Sequence, residues 1–166
     1  RVKTKPADTD DVKSIASPMV AAGGGYTIAL KYDGTVWAWG YNQNGELGQG
    51  NTTSVYSPVQ VKSSDGSSYL TDIIEIAAGA YHNLALAKDG TVWSWGYNNY
   101  GSLGLGDGTS RTTAQQVLGG ASGSQYLTDI VEVKAATMHT LALKANGTVY
   151  AWGYNGYGQL GSNGGS

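Results

Sequence analysis

The chain has 166 residues, with 26 Gly, 3 Pro and no Cys. Glycine at more than twice its usual share of about 7% leaves little room for long helices, while 5 Trp and 12 Tyr supply apolar area for a core; disorder of the whole chain is excluded. A net charge of −2 with 13% charged residues gives no electrostatic footprint for nucleic acid or anionic membrane, and the lack of cysteine removes disulfides, thiolate zinc sites and cysteine nucleophiles.

Residues 1–19 differ in character from the rest of the chain. Arg1, Lys3 and Lys5 are followed by Asp8, Asp10 and Asp11, and apolar character resumes only at Val12 and Ile15. Such a segment has no core of its own, so Val2, Val12 and Ile15 are expected to serve an inter-subunit contact as a donated strand. The chain does not begin with Met and no run approaches the ~18 apolar residues of a membrane span; a removed signal peptide and an extracellular location are the expectation.

From residue 20 the sequence repeats. Asp33-Gly34-Thr35-Val36-Trp37-Ala38-Trp39-Gly40-Tyr41-Asn42 returns at Asp89–Asn98 and, with Asn146 and Tyr150, at Asn146–Asn155, and the turn glycines Gly34, Gly90 and Gly147 set periods of 56 and 57. The units run over 20–75, 76–132 and 133–166. Pro58–Lys62 is predicted as the last strand of the first unit. In the second, Ile73–Ala78 reads as a buried strand and Asn83–Ala87 as an alternating one; Asp89-Gly90 makes a hairpin turn, Thr91–Gly96 returns antiparallel, and Gln115–Leu118 adds a fourth strand. The third unit stops before its fourth strand. Four short antiparallel strands per unit describe a propeller blade, so the fold class is all-β, with three blades that stay an incomplete propeller unless other chains complete it.

With Ala21-Ala22-Gly23 and Ala77-Ala78-Gly79 upstream and Leu47-Gly48, Leu103-Gly104 and Leu160-Gly161 downstream, this pattern resembles the regulator of chromosome condensation repeat family. The resemblance covers about residues 20–166. It implies a β-propeller fold of seven blades in its full form, used mainly to bind proteins, secreted bacterial β-lactamase inhibitors among them. All five tryptophans lie in the W-x-W-G strand, where packing accounts for them, so none is left to serve as a chromophore.

Candidate sites are few. His82 and His139 share one register with Tyr26, which marks them as scaffold, because a catalytic or metal-binding His stands with distinct partners. The acids mostly recur at turns, no G-x-S-x-G elbow is present, and no calcium or phosphate loop has the required spacing. No enzyme activity, no metal and no cofactor are expected. Tyr41, Tyr97 and Tyr154 recur after W-G, and Tyr100 and Tyr157 add a second aromatic where the first unit has Asn44; these five are the candidate binding residues, since Tyr joins apolar area to a polar tip.

Two functions fit. In one, the chain is an extracellular structural protein that assembles with other copies of itself, head to tail, into a ring or filament. In the other, it is a fragment of a protein-binding propeller, or a carbohydrate-binding module using the Tyr and Asn loops.

Overall fold

The computed structural model describes residues 15–119 and 125–162. These hold eleven strands and no helix: β1 (Met19–Ala22), β2 (Tyr26–Leu30), β3 (Val36–Gly40), β4 (Val55–Gln60), β5 (Ile73–Ala78), β6 (His82–Ala87), β7 (Val92–Gly96), β8 (Arg111–Gln116), β9 (Ile130–Ala135), β10 (His139–Lys144) and β11 (Val149–Gly153). They form three antiparallel meanders, β1-β2-β3-β4, β5-β6-β7-β8 and β9-β10-β11. The third blade has no fourth strand among the described residues.

The hairpins arise from their turn dipeptides. Gly90 sits at φ 83° and donates its N–H to Ala87 O, while the Asp89 carboxylate accepts both the N–H and the hydroxyl of Thr91, at 3.0 and 2.7 Å. Those hydrogen bonds hold the Asp89 carboxyl below the usual carboxylate range, the Thr91 hydroxyl contributing most. The same turn fixes the register of Leu30 opposite Val36 and Leu86 opposite Val92.

Blades pack face to face, and alternation along the second strand decides what each face carries. Tyr26, Ile28 and Leu30 of β2 are buried against blade 2, whereas Thr27 and Ala29 point the other way and are only half-buried. In β6 all six residues are buried, since blade 2 is covered on both sides. In β10 Thr140 and Ala142 are buried against blade 2, and His139, Leu141 and Leu143 are half-buried. Each blade thus has a large-residue face toward the next blade and a small-residue face toward the preceding one. Two apolar clusters result, one around Ile28, Leu47 and Trp95, the other around Leu84, Val92 and Val133.

Two expectations need correction. The fourth strands run over Val55–Gln60 and Arg111–Gln116, a few residues ahead of 58–62 and 115–118: Val117 leaves the strand and bonds Val92 O, and Leu118 forms only an isolated bridge with Tyr126. β5 begins at Ile73 and β9 at Ile130. Of the tryptophans that packing was expected to account for, Trp93 is only half-buried, while Trp95 in the same strand is fully buried.

Candidate functional site

The joints between blades decide which faces remain open among the described residues. At the first joint, Trp95 Nε1 and Asn83 Nδ2 of blade 2 both donate to Glu46 O in the loop of blade 1, at 2.9 and 2.8 Å. At the second, Trp152 Nε1 and the Thr140 hydroxyl of blade 3 both donate to Ser102 O of blade 2, each at 2.9 Å. One loop carbonyl, one Trp and one polar residue of the second strand make each joint. The matching residues at the open ends are Gln159 on blade 3 and Trp39 with Thr27 on blade 1.

The shared register of Tyr26, His82 and His139 belongs to the same joints. The Tyr26 hydroxyl lies 3.1 Å from Gly79 O and 3.0 Å from His82 O, and burial, with the nearby Glu46 carboxylate adding to it, drives its ionisation well above the ordinary tyrosine range. His82 Nε2 lies 3.0 Å from Thr140 Oγ1. The one proton of that hydroxyl is spent on Ser102 O, so His82 donates from Nε2. Burial lowers its pKa to about 4, and His139 adds a smaller electrostatic contribution in the same direction. His82 thus serves as an inter-blade link, and His139 lies at the open face of blade 3.

Backbone groups tell where the sector stops. Gly24 N–H donates to Ala80 O and Ala80 N–H to Thr137 O, an inner chain of bonds running from blade to blade. On the outer side, Gly50 N–H donates to Thr112 O of β8, and a Cβ on Gly45 would stand 2.6 Å from Arg111 O. Gly101 occupies the register of Gly45 one blade on, and among the described residues nothing stands within 4 Å of a Cβ placed there. That space lies where a fourth strand of blade 3 would pass.

The five candidate tyrosines do not behave alike. Tyr97, Tyr100, Tyr154 and Tyr157 form a continuous edge-to-face ladder, with ring centres 6.3, 5.1 and 6.1 Å apart, and Tyr81 extends it at 6.2 Å from Tyr97. Tyr157 is 90% exposed and Tyr81 and Tyr100 each 39%. Tyr41 is exposed but outside the ladder among the described residues, because Gly25 replaces Tyr81 and Asn44 replaces Tyr100 in the first blade. Tyr81 has no counterpart in the other units, Met138 holding its place in the third, so repetition could not single it out.

The loop asparagines are structural. Asn98 is fully buried, donates to Asp107 O and Thr109 O, and accepts the Leu103 N–H at 2.9 Å; Asn42 repeats this with Asn51, Thr53 and Leu47. They hold the loops that carry the tyrosines and are not available to a ligand, which removes Asn42 and Asn98 from the Tyr and Asn surface expected for a sugar.

Of the assembly candidates, Ile15 is bound to its own blade: its N–H donates to Tyr32 O at 2.8 Å while the side chain stays partly exposed. Val2 and Val12 lie outside the described residues. Among the described residues no group of three or more His, Asp or Glu could hold a metal. A cleft of about 370 Å³ beside Tyr69, Asp72, Lys88 and Trp93 is lined by the ion pair of Lys88 with Asp72, so its charges already have partners.

Comparison with known proteins agrees with this geometry. The regulator of chromosome condensation (RCC1) repeat matches residues 33–86 and 89–143. The ultraviolet-B receptor UVR8 of Arabidopsis thaliana is 33% identical over 156 residues, covering 94% of this chain and 33% of the receptor; human E3 ubiquitin-protein ligase HERC2 is 36% identical over 136 residues, covering 82% of this chain and 3% of the ligase. The crystal structure of Prp20p from Saccharomyces cerevisiae, described with its binding to Gsp1p and histones, superposes with a TM-score of 0.68 at 25% identity, over 90% of this chain and 34% of that one. The chain spans about a third or less of the length of these relatives. With its repeats matched over more than half its length and its blades superposing on a solved propeller, the chain belongs to the RCC1 repeat family.

Proposed function

We propose that the chain is a non-enzymatic extracellular structural protein that assembles head to tail, blade 3 of one copy receiving blade 1 of the next. The observation that carries this reading is a residue-specific match at the open ends. At the closed joints the Tyr26 hydroxyl meets the backbone carbonyls of Gly79 and His82, and the His82 ring meets Thr140. The third large face presents a His again, His139, and the first small face presents a Thr again, Thr27. A junction between copies would therefore copy the second joint: His139 on Thr27, Trp39 on the Gln159 carbonyl, and Tyr157 beside Tyr41 as Tyr100 stands beside Tyr154. Burying Leu141, Leu143 and Val149 supplies the apolar gain. Residues 1–14 of the incoming copy, Val2 included, lie outside the described residues and are proposed to add a strand beside β11, where none stands among the described residues.

A heterologous contact of this kind closes into a ring or runs on as a filament. Sedimentation equilibrium of the 166-residue chain is expected to give multiples of 17.2 kDa, with Trp39→Ala weakening association about ten-fold or more and deletion of residues 1–14 abolishing it. A chain that stays at 17.2 kDa at roughly 100 µM overturns the reading. A truncated chain that assembles to the same size removes the donated strand and leaves face-to-face packing.

A further inference from the structure

We propose that the tyrosine ladder binds a proline-rich segment of another protein in the extended polyproline conformation, an interaction that goes beyond assembly. The rings Tyr81, Tyr97, Tyr100, Tyr154 and Tyr157 make one continuous track across the loops of blades 2 and 3. Each edge-to-face step leaves ridges and hollows rather than a flat platform. Ring centres of Tyr97, Tyr100 and Tyr154 are 6.3 and 5.1 Å apart, so alternate rings stand no more than about 11 Å from each other, a limit that admits the ~9 Å at which a polyproline helix of three residues per turn repeats its side chains.

The chemistry of the track selects the same partner. It carries no ionisable acid or base apart from the phenols, so it offers nothing to a phosphate or a charged peptide. Among the described residues none of the five hydroxyls makes a hydrogen bond to the protein, so each O–H is left to donate to a ligand, the Tyr154 hydroxyl lying close over Gly156, where a Cβ would stand 2.1 Å from it. A polyproline helix has no backbone N–H to satisfy and turns its carbonyls outward, so it supplies acceptors alone, and its rings fill the hollows between tyrosines. A sugar chain needs open ring faces to stack on; here the edge of one ring lies against the face of its neighbour at interplanar angles of 62° and 70° around Tyr100. The loops are pinned from below by Asn98 and Asn155, so the track is preformed.

The test is fluorescence anisotropy with a labelled oligoproline of about ten residues. Saturable binding is expected, at least about ten-fold weaker in Tyr100→Ala and Tyr154→Ala, weakened a few-fold in Tyr100→Phe, and unchanged in Tyr56→Ala, whose ring is fully exposed away from the ladder. Trp39→Ala, designed against assembly, should bind as the parent does, so failure of assembly and failure of the ladder are read separately. Far-ultraviolet circular dichroism reports whether each variant keeps its sheets. No saturation by oligoproline, equal loss in Tyr56→Ala, or a response only to a cello- or chito-oligosaccharide overturns the proposal.

Discussion

At the scale of single residues, the joints impose demands that repeat with the blades. Gly96 stands at φ 102°, and a Cβ there would lie 2.5 Å from Tyr81 O; Gly40 and Gly153 are in the same position, with φ of 109° and 103°. No side chain fits both the dihedral and the space. Gly96→Ala is expected to cost on the order of 3 kcal/mol or more, read as a drop in urea midpoint. His82 makes the fold sensitive to acid. Its folded pKa, about 4, lies below the ordinary histidine value near 6.5, so the unfolded chain takes up a proton at pH values where the folded chain resists it. The stability from neutral His82 is whole above about pH 6.5 and is lost as pH falls toward 4, by roughly 3 kcal/mol. Urea midpoints between pH 4 and 7 should show that slope in the parent and a shallower one in His82→Gln; equal slopes would refute the link.

At the scale of elements, what was legible in the sequence was whatever is local. The Asp-Gly turns and the strands at 73–78 and 91–96 come from short-range pattern, and the structure has Ile73–Ala78 and Val92–Gly96. The fourth strands were displaced because Arg111-Thr112-Thr113 carries no apolar alternation; its strand exists through pairing with β7 and bonds to the neighbouring loop, which are long-range. The joints themselves were hidden for a simpler reason. Their central acceptors are backbone carbonyls, on Glu46 and Ser102, and a carbonyl has no residue type. The equivalent tryptophans therefore invite a direct comparison. Trp95 is fully buried with its N–H bonded, and Trp95→Ala should cost about 3–5 kcal/mol. Trp39 lies half-buried on the open face of blade 1, so Trp39→Ala should cost the dissociated chain less than half of that while it weakens assembly. Thermal melts at low concentration separate the two effects; matching losses would mean that Trp39 is already packed within one chain.

At the scale of the whole molecule, two or more copies in register would carry the tyrosine ladder across the junction, since Tyr157 of one and Tyr41 of the next hold the places of Tyr100 and Tyr154. A lone Tyr41 and a Tyr157 that is 90% exposed are then the two ends of one track. That the track gathers Tyr97, Tyr100, Tyr154 and Tyr157 was foreseeable from their recurrence; that Tyr81 joins it was not, because it depends on how two loops of one blade lean together. The unlike faces of each blade have a last consequence. A small-residue face can seat only a large-residue face, so an open stack has polarity: one terminus always displays Thr27 and Trp39, the other His139 and Leu141. The two termini would grow at different rates and answer to different poisons. A trace of Trp39→Ala chains, sound at blade 3 but spoiled at blade 1, would cap the terminus displaying blade 1 and leave the other growing.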